Sequence, residues 1–290
     1  MTSVRVALAQ LGVGPDIEEN IRHCIRAVES ASDGGATAIC FPELSYLPFF
    51  PHARADPKYF KWAEPASGPT IKRFQEAAAK RNIVVLLNVY EATSRRDYYD
   101  TTIAIDADGS IRGSYRMTHR AESSAFNESF YYWPGDSGFP NFETTIGRIG
   151  IATCHDRHFP EVFRCLALEG ASIVFVPNAI SVHSFEQSRS FFEIPNQAAS
   201  MANGIFTVCV NRIGPGGCVE MLHGVPHDKF TFAGASFVTA PDGRITEQAA
   251  VGTEQLLITT LEIDEVQHAR HHRPFFRDRR PECYGRLLRS

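Results

Sequence analysis

Short apolar runs alternate with amphipathic segments along this chain of 290 residues, and this alternation restricts the possible folds more than any other feature. In the first half, Val4 to Leu11 has the pattern of a strand, Ile17 to Ser32 that of a helix, and Thr37 to Phe41 that of another strand. The second half repeats this order with a strand at Ile149 to Thr153 and a helix at Glu161 to Gly170. Two similar halves of mixed βα units predict an α/β protein in which two mixed sheets lie between layers of helices.

The remaining predicted elements continue the alternation. They are helices at Ile71 to Arg81 and Phe185 to Asn203, and strands at Ile83 to Tyr90, Thr101 to Ile105, Ile111 to Tyr115, Ile173 to Pro177, Phe206 to Asn211, Phe232 to Thr239 and Gln255 to Leu261. Turn sequences follow at Asp106 to Gly109 and at Pro241 to Gly243. Because no linker rich in Pro, Gly or Ser divides the chain, we expect a single domain over residues 1–290, with a C-terminal tail at about 265–290.

Cys154 lies at the junction best suited to chemistry, because it ends an apolar run and opens a polar, charged turn before a predicted helix. Backbone N–H groups at such a junction can lower the pKa of a thiol and hold a developing oxyanion, so Cys154 is a candidate nucleophile. The alternative is a small core residue, since buried free cysteines are common. Cys24, Cys40 and Cys209 lie within apolar patterns and fit that alternative. Only Cys154 stands between a strand and a charged turn.

Polar side chains also follow two other predicted strands. Glu43 comes after the apolar run that ends at Phe41, and Asn178 follows Pro177. Since sites form where strands end, we expect both residues near Cys154. Burial would raise the pKa of Glu43, so this carboxyl group could take the thiol proton and pass it to a leaving amine. The alternative for Glu43 is a structural carboxylate at a helix start after Pro42.

Composition excludes several classes of partner and cofactor. A net charge of −4 argues against nucleic acid or an anionic membrane and favours a small molecule. Seven cysteines without a Cys-x-x-Cys pair, no recognisable leader and no long apolar stretch predict a cytoplasmic protein. No Gly-rich phosphate loop is present, so we expect no organic cofactor. His268, His271 and His272 lack matching carboxylate or cysteine spacing, so we expect no metal site.

Three motifs resemble those of the nitrilase, or carbon–nitrogen hydrolase, superfamily. They are Cys-x-Asp-Arg-x-Phe-Pro-Glu at 154–161, Glu-x-Phe-Tyr-x-x-Pro-Gly-Asp at 128–136, and Arg-Asp-Arg-Arg-Pro at 277–281. They are most similar to the N-carbamoyl amide hydrolases, the branch that handles carbamoyl amines, carbamoyl amino acids and ureido acids. The resemblance implies a four-layer α-β-β-α sandwich of two mixed sheets, and a homodimer or larger homo-oligomer.

The resemblance also implies a catalytic set of Cys, Glu and Lys with a second Glu nearby. Cys154 takes the place of the nucleophile, Glu43 that of the general base and acid, and Glu128 that of the second carboxylate. The lysine is replaced, because the family pattern Tyr-Arg-Lys-x-His reads Tyr-Arg-Met-Thr-His at 115–119, with Met117 at its third position. Loss of one oxyanion donor typically lowers a rate on the order of 10²- to 10³-fold.

Other residues of the turn are candidates for contacts with the substrate or the oxyanion. We expect His155 or Arg157 to supply part of the missing positive charge, and Asn178 to lie at the same strand edge. Relatives that act on carbamoyl amino acids hold a substrate carboxylate with basic residues at this point, so Arg157 and His158 make a carboxylate-bearing substrate plausible. The alternative is that Arg157 pairs with Asp156 or Glu161 at the helix start.

Two functional hypotheses follow. The first is cysteine-dependent hydrolysis of an amide or N-carbamoyl amide of a small molecule through a covalent acyl-enzyme. The second is a diverged member in which Met117 marks the loss of hydrolysis, so that the protein transfers the acyl group to an amine or only binds its ligand. Retention of Cys154, Glu43 and Glu128 favours the first.

Overall fold

The computed structural model describes residues 3–123, 126–182, 185–217, 221–222, 225–226 and 230–288. The strands are β1 (Ser3–Gln10), β2 (Ala38–Cys40), β3 (Val84–Ala92), β4 (Tyr98–Ile105), β5 (Ile111–Arg116), β6 (Glu122–Ser123), β7 (Phe126–Asn127), β8 (Asn141–Thr144), β9 (Gly147–Ile151), β10 (Ile173–Asn178), β11 (Ser181–Val182), β12 (Phe206–Asn211), β13 (Ile213–Gly217), β14 (Met221–Leu222), β15 (Val225–Pro226), β16 (Phe230–Ala233), β17 (Phe237–Thr239), β18 (Ile245–Gln248) and β19 (Gln255–Glu262). The helices are α1 (Ile17–Asp33), α2 (Pro69–Arg81), α3 (Glu128–Tyr131), α4 (Pro160–Leu168), α5 (Phe185–Asn203) and α6 (Asp264–His272), and 3₁₀ helices occur at Pro57–Trp62, Cys154–His158, Pro281–Cys283 and Gly285–Leu288.

Most strands belong to two six-stranded mixed sheets. The first sheet has the order β19-β1-β2-β3-β4-β5, and β1, β2 and β3 run parallel within it. The second has the order β18-β17-β12-β10-β9-β8, with β9, β10 and β12 parallel. Parallel strands therefore lie at the centre of each sheet and antiparallel strands at its edges. The strand-to-helix connections of the parallel strands bring the ends of β2, β9 and β10 to one region of the molecule.

Alternation of side chains along the strands builds the layers. Val6 and Leu8 of β1 belong to the apolar cluster that also holds Phe175 of β10, so they lie between the two sheets. Ala7 points to the other face and shares a cluster with Val28 of α1. Helices α4 and α5 cover the outer face of the second sheet through a third cluster. The predicted four-layer α-β-β-α sandwich is confirmed.

The predicted strand from Phe232 to Thr239 is wrong as a single element. It is divided into β16 and β17, which belong to different sheets. Between them, Gly234 and Ala235 have φ angles of +71° and +54°, which turn the chain out of an extended path. The edge strands β8 and β18 were not predicted, because their short, partly exposed sequences lack an apolar run. The other predicted elements are present and differ only by a few residues at their ends.

Beyond α6, the described part of the tail contains only short 3₁₀ turns. Its side chains Arg279, Tyr284 and Leu287 lie beside α4 and α5, with which they line a cavity of about 500 Å³. Within the described ranges, no helix has the length and apolar character needed to cross a membrane.

Gly234→Ala is expected to lower the free energy of unfolding more than Gly252→Ala. The two glycines have nearly the same φ, +71° and +69°, so both substitutions introduce the same backbone strain. A Cβ at Gly234 would lie 2.4 Å from the Gln10 side chain, whereas a Cβ at Gly252 would have no atom of the described residues, other than its chain neighbours, within 4 Å. Gln10 cannot easily move, because its amide donates to the carbonyl oxygens of Ala250 and Thr253 at 2.7 and 2.8 Å. We expect Gly234→Ala to be less stable by a further ~1–3 kcal/mol, measured by urea unfolding. Equal losses in the two variants would contradict this packing.

Candidate active site

Cys154 begins the 3₁₀ helix that follows β9, and its backbone is strained. Its φ of +44° lies in the left-handed region, which a residue with a side chain adopts only when its surroundings enforce it. The buried Asp156 carboxylate holds the turn, since it accepts hydrogen bonds from Thr153 N at 3.0 Å and Tyr115 Oη at 2.7 Å. It also accepts from His119 N at 3.0 Å. The thiol is therefore presented on a rigid turn at the end of a central strand.

The Cys154 thiol is buried, with only 5% of the residue exposed. Burial raises its pKa well above the usual range, and the charge of Glu43 raises that pKa further. The Arg157 guanidinium, whose Nη1 lies 3.6 Å from Sγ, and the Ala179 backbone N–H lower the pKa but do not compensate. The expectation that the junction lowers this pKa is wrong, because desolvation and nearby carboxylates outweigh the N–H groups. The resting sulfur is therefore a protonated thiol.

Glu43 follows β2 and lies fully buried in a turn. No helix begins after Pro42, so the structural alternative for this carboxylate is wrong. Its N–H donates to the Asn178 carbonyl oxygen at 3.3 Å, which joins the ends of β2 and β10. Burial raises the pKa of Glu43, as predicted, while hydrogen bonds from the Cys154 thiol and the Asp100 carboxyl group lower it. Glu43 therefore faces the thiol and can exchange a proton with it.

Glu128 is the first residue of α3 and is also fully buried. Its Oε2 accepts a hydrogen bond from the Ala121 backbone N–H at 2.5 Å. Burial, and then the charge of Glu43, raise its pKa well above the usual range. The structure thus brings Glu43, Cys154 and Glu128, which lie far apart in the sequence, into one buried site.

Asp100 is a third carboxylate of this site that was not predicted from the sequence. It lies in β4, and its Oδ1 accepts a hydrogen bond from Asn88 Nδ2 of β3 at 2.6 Å. Burial and the charge of Glu43 raise the pKa of Asp100 well above its usual range. The predicted strand began at Thr101, which left Asp100 in a loop. Extending the strand back to Tyr98 would have placed a carboxylate inside a buried sheet, which is a signal for function.

Met117, at the position of the expected lysine, lies beside these groups. Its backbone N–H donates to the Asp100 carbonyl oxygen at 2.8 Å, and its own carbonyl oxygen accepts from Gly135 N at 2.8 Å. The side chain is buried in the apolar cluster that includes Cys154 and Tyr132. The four described lysines, Lys58, Lys61, Lys72 and Lys80, are exposed, and Lys229 lies outside the described residues. Within the described part of the chain, no ammonium group therefore takes the place that Met117 leaves uncharged.

Arg157 is buried and supports the turn rather than pairing with a carboxylate. Its Nη1 donates to the Cys154 carbonyl oxygen at 2.6 Å, and its Nε to the Phe191 carbonyl oxygen at 3.2 Å. It forms no ion pair with Asp156 or Glu161, so that alternative is wrong. The charge of Arg157 is thus held next to the Cys154 thiol.

Asn178 ends β10 and lies in the same site, as predicted from the strand ends. Its Oδ1 is 3.5 Å from Arg157 Nη1, and its Nδ2 donates to the Val176 carbonyl oxygen at 2.5 Å. These contacts fix the amide against the second sheet and orient the guanidinium.

His155 and His158 are half-buried beside Arg157. Burial, and then the charge of Arg157, lower the pKa of both, that of His158 to about 4. Both imidazoles are therefore neutral near neutral pH, and His155 cannot replace the lysine charge. His158 and Arg157 line the cavity against Arg279 of the tail. No group of three or more possible metal ligands occurs among the described side chains.

Arg212 is a second buried cation of this site that was not predicted from the sequence. Its Nη1 and Nη2 donate to the Leu47 carbonyl oxygen, each at 3.2 Å, and Nη1 lies 3.5 Å from the Glu43 carbonyl oxygen. Burial lowers its pKa to about 10, so it keeps its proton near neutral pH. Its position directly after the buried strand β12 was the available sequence signal. An arginine is rarely buried without a specific partner, so one at the end of such a strand indicates a structural or functional role.

Comparisons with known proteins agree over almost the whole chain. Residues 5–271 match the model of the carbon–nitrogen hydrolase family. The N-carbamoylputrescine amidase of Arabidopsis thaliana is 35% identical over 98% of this chain and 95% of its own length. The citrullinase of Francisella tularensis is 31% identical, with 100% of both chains covered. A crystal structure of a carbon–nitrogen hydrolase from Helicobacter pylori superposes with a TM-score of 0.92 at 27% identity, covering 99% of each chain.

Asp100→Asn is expected to raise the free energy of unfolding at about pH 8 and to leave it nearly unchanged at about pH 4. Burial raises the pKa of Asp100 in the folded protein, so the folded chain keeps a proton that the unfolded chain releases. Stability from this group is fully present below its unfolded pKa and is lost as the pH rises towards the folded pKa, at about 1.4 kcal/mol per pH unit. Urea unfolding at both pH values measures the effect, with the exposed Asp33→Asn as control. The same pH dependence in Asp100→Asn and the unmodified protein would refute it.

Proposed function

The chain belongs to the carbon–nitrogen hydrolase family, and from that premise we propose that it cleaves a non-peptide carbon–nitrogen bond of a small molecule with Cys154 as nucleophile. The observation that carries the proposal is the contact between two buried groups, the Cys154 thiol and the Glu43 carboxylate. A thiol with a raised pKa becomes nucleophilic only if a base removes its proton during attack, and Glu43 is the base that faces it.

The contact supports a two-step reaction. Glu43 takes the thiol proton while sulfur attacks the substrate carbon, and then delivers that proton to the leaving nitrogen, which yields an acyl-enzyme and an amine or ammonia. Water then attacks the acyl carbon with Glu43 again as base, and the thiol is released. The raised pKa of Glu43 suits this double task, because a more basic carboxylate takes the thiol proton more readily and its carboxyl form can return that proton to the leaving nitrogen.

The substrate we propose is an amide or N-carbamoyl amide. The two relatives are named for N-carbamoylputrescine and for citrulline, and their similarity extends over nearly the whole chain. A carboxylate elsewhere on the substrate would meet Arg157, the cation nearest the thiol among the described residues. Glu128 has one oxygen fixed by the Ala121 N–H, which leaves the other to orient a substrate N–H group.

A second candidate function is favoured by Met117. Without the lysine ammonium, the oxyanion formed from a neutral amide has one donor fewer, so transfer of the acyl group to an amine, or binding without turnover, becomes competitive. The strained Cys154 turn and the carboxylate against it argue for retained covalent chemistry, since a binding protein needs neither.

Cys154→Ala is expected to abolish both covalent adducts and ammonia release. Glu43→Gln keeps the shape of the side chain but cannot accept a proton, so the rate should fall by about 10²- to 10⁴-fold. Intact-mass spectrometry and an ammonia assay with amide and carbamoyl compounds provide the measurement. Cys283→Ala and Glu76→Gln, which change an exposed thiol and an exposed carboxylate, are the matched controls. An adduct that survives in Cys154→Ala would show that another group is the nucleophile.

We further propose that the protein is a cytoplasmic homodimer or larger homo-oligomer that associates through α4 and α5. Phe191 and Ile194 of α5 are 65% and 58% exposed, and Leu168 of α4 is 45% exposed, so both helices present apolar side chains of the kind that mediate association. The Phe191 carbonyl oxygen accepts from Arg157, so this surface is connected to the turn of the nucleophile.

Ile194→Glu is expected to weaken self-association by at least about tenfold, because it places a charge within an apolar contact. Light scattering after size-exclusion chromatography over a range of protein concentrations measures the mass. Ile111→Glu changes an exposed isoleucine of β5 outside this surface and should leave the mass unchanged. A monomeric unmodified protein, or equal masses for both variants, would contradict the proposed interface.

A further inference from the structure

Several buried acceptor atoms near the thiol receive no hydrogen bond from an N–H group. Among the described residues, no N–H group donates to Glu43 Oε1 and Oε2, Asp100 Oδ2 or Glu128 Oε1, and the groups that share hydrogen bonds with Glu43 are the Cys154 thiol and the Asp100 carboxyl group. All three side chains are at most 1% exposed. Unpaired carboxylate oxygens in such surroundings are destabilising, and native sites keep them where a ligand supplies the donors.

A buried hydroxyl group lies among the same carboxylates. Tyr132 Oη has no hydrogen-bond partner within the described residues and is buried. After burial itself, the charges of Asp100, Glu43 and Glu128 raise the pKa of Tyr132, in that order, so its phenol group is close to all three. Its hydroxyl group can donate one hydrogen bond and accept another at the same place. The four groups thus form one polar surface around the position that Cys154 attacks.

The cations of the site do not satisfy these acceptors. Arg157 donates to the carbonyl oxygens of Cys154 and Phe191, and Arg212 donates to that of Leu47. The described lysines are exposed, and Met117 occupies the position from which the family's lysine would reach the site. The described site therefore offers acceptors in excess of donors around its nucleophile.

Two classes of reacting group, amides and amidinium groups, differ in the number of hydrogen-bond donors that they bring to the site. A primary amide brings two N–H donors and a carbonyl oxygen, and that oxygen needs donors which methionine does not supply. An amidinium group, C(NH₂)₂⁺, brings four N–H donors in a plane and no carbonyl oxygen. Planar N–H pairs match carboxylates in a bidentate manner, as in Arg–carboxylate contacts. The acceptors of Glu43, Asp100 and Glu128 fit the second class.

We propose that the carbon attacked by Cys154 belongs to an amidinium group, as in amidines and guanidines, held by Glu43, Asp100 and Glu128. This inference rests on the proposed function, because Cys154 is the nucleophile in both. It replaces the neutral amide as the preferred reacting group.

Charge balance in the reaction explains why methionine is tolerated. A thiolate that attacks a neutral carbonyl forms an oxyanion, which requires a positive donor. The same attack on an amidinium carbon forms a neutral tetrahedral intermediate, in which sulfur and two amino groups share the carbon. The cation enters with the substrate, and no negative charge develops on an oxygen. The lysine is then unnecessary, and a fixed ammonium at position 117 would repel the substrate.

The steps balance with water as the only co-reactant. The thiol proton passes to Glu43 as the C–S bond forms, and Glu43 returns it to one amino group, which leaves as ammonia with cleavage of its C–N bond. A protonated thioimidate remains on Cys154. Water adds to its carbon with loss of a proton to Glu43, and the C–S bond then breaks. The hydroxyl proton of this adduct passes to sulfur as the amide and the thiol are released, and Glu43 gives its proton through water to the ammonia, so that amidinium and water yield an amide and an ammonium ion.

Matched pairs of compounds test the proposal with the unmodified protein. Each pair has one side chain and differs only in the reacting group, as in propionamidine and propionamide, or benzamidine and benzamide. We expect the amidine to react faster in every pair that reacts, with ammonia release and a Cys154 adduct lighter than the acyl adduct by the difference between O and NH. Faster reaction of the amide, with an acyl adduct on Cys154, would overturn the inference and leave the proposed function intact. No adduct on Cys154 from either class would contradict both.

Met117→Lys supplies the opposite test. The new ammonium group should pair with the free carboxylate oxygens, so activity on amidines should fall and activity on amides should rise, each on the order of 10²-fold. Ile111→Lys places the same charge on the surface and should change neither rate. A change of the same sign for both classes would overturn the proposal.

If Met117→Lys does not fold, as judged by its unfolding transition, Asp100→Asn takes its place. It removes one acceptor without changing the shape of the side chain, and its amide can still bond to Asn88. We expect the ratio of amidine to amide rates to fall at least about tenfold, by loss of one charge-assisted hydrogen bond. An unchanged ratio would count against the proposal.

Discussion

Desolvation of a thiol and three carboxyl groups in one closed site is the constraint on which the rest of this structure depends. Burial raises the pKa of the Cys154 thiol and of the Asp100 and Glu128 carboxyl groups, and so favours their neutral forms. The negative charge of Glu43 raises all three pKa values further. Glu43 alone is opposed by the thiol, by Asp100 and by two guanidinium groups, which lower its pKa. It is therefore the carboxyl group best placed to change its protonation state during a reaction. The chemistry proposed here therefore begins with transfer of a proton from the neutral thiol to the Glu43 carboxylate, not with attack by a preformed thiolate.

Buried hydrogen bonds from neighbouring elements hold these groups in place. Asp156 joins the Cys154 turn to the end of β5 through Tyr115 and His119, so the thiol and Met117 are held by one network. Gly135 completes this arrangement, because a Cβ there would lie 2.0 Å from the Arg116 carbonyl oxygen. This close packing fixes the backbone around Met117. Because that backbone cannot shift to bring another charged group into the site, the charge lost with the lysine is not replaced by local movement.

Features that depend on the order of residues within one element could be predicted from the sequence. The 2- and 3.6-residue periods predicted the sandwich, and the strand ends located Glu43, Cys154 and Asn178 in one region. Properties that depend on tertiary burial could not be predicted in this way. The direction of the Cys154 pKa shift depends on carboxylates distant in sequence, and the partners of Arg157 are carbonyl oxygens that no local pattern indicates. Asp100 was missed for a simpler reason, since the start of β4 was placed after it.

Asp100 and Met117 are connected through the sheet edge, where the Met117 N–H bonds to the Asp100 carbonyl oxygen. Relative to a lysine at this position, methionine removes a positive charge beside an acidic group that is itself fully buried. A site altered in this way has two means of neutralising its carboxylates, a proton or a bound cation. Protons alone would leave the oxygens of Glu43 and Glu128 with few donors and would remove the base that the thiol requires. A cationic reacting group satisfies the acceptors, keeps Glu43 ionised for the attack and removes the need for an oxyanion donor. The positive charge that relatives carry on the protein is, on this account, carried here by the substrate.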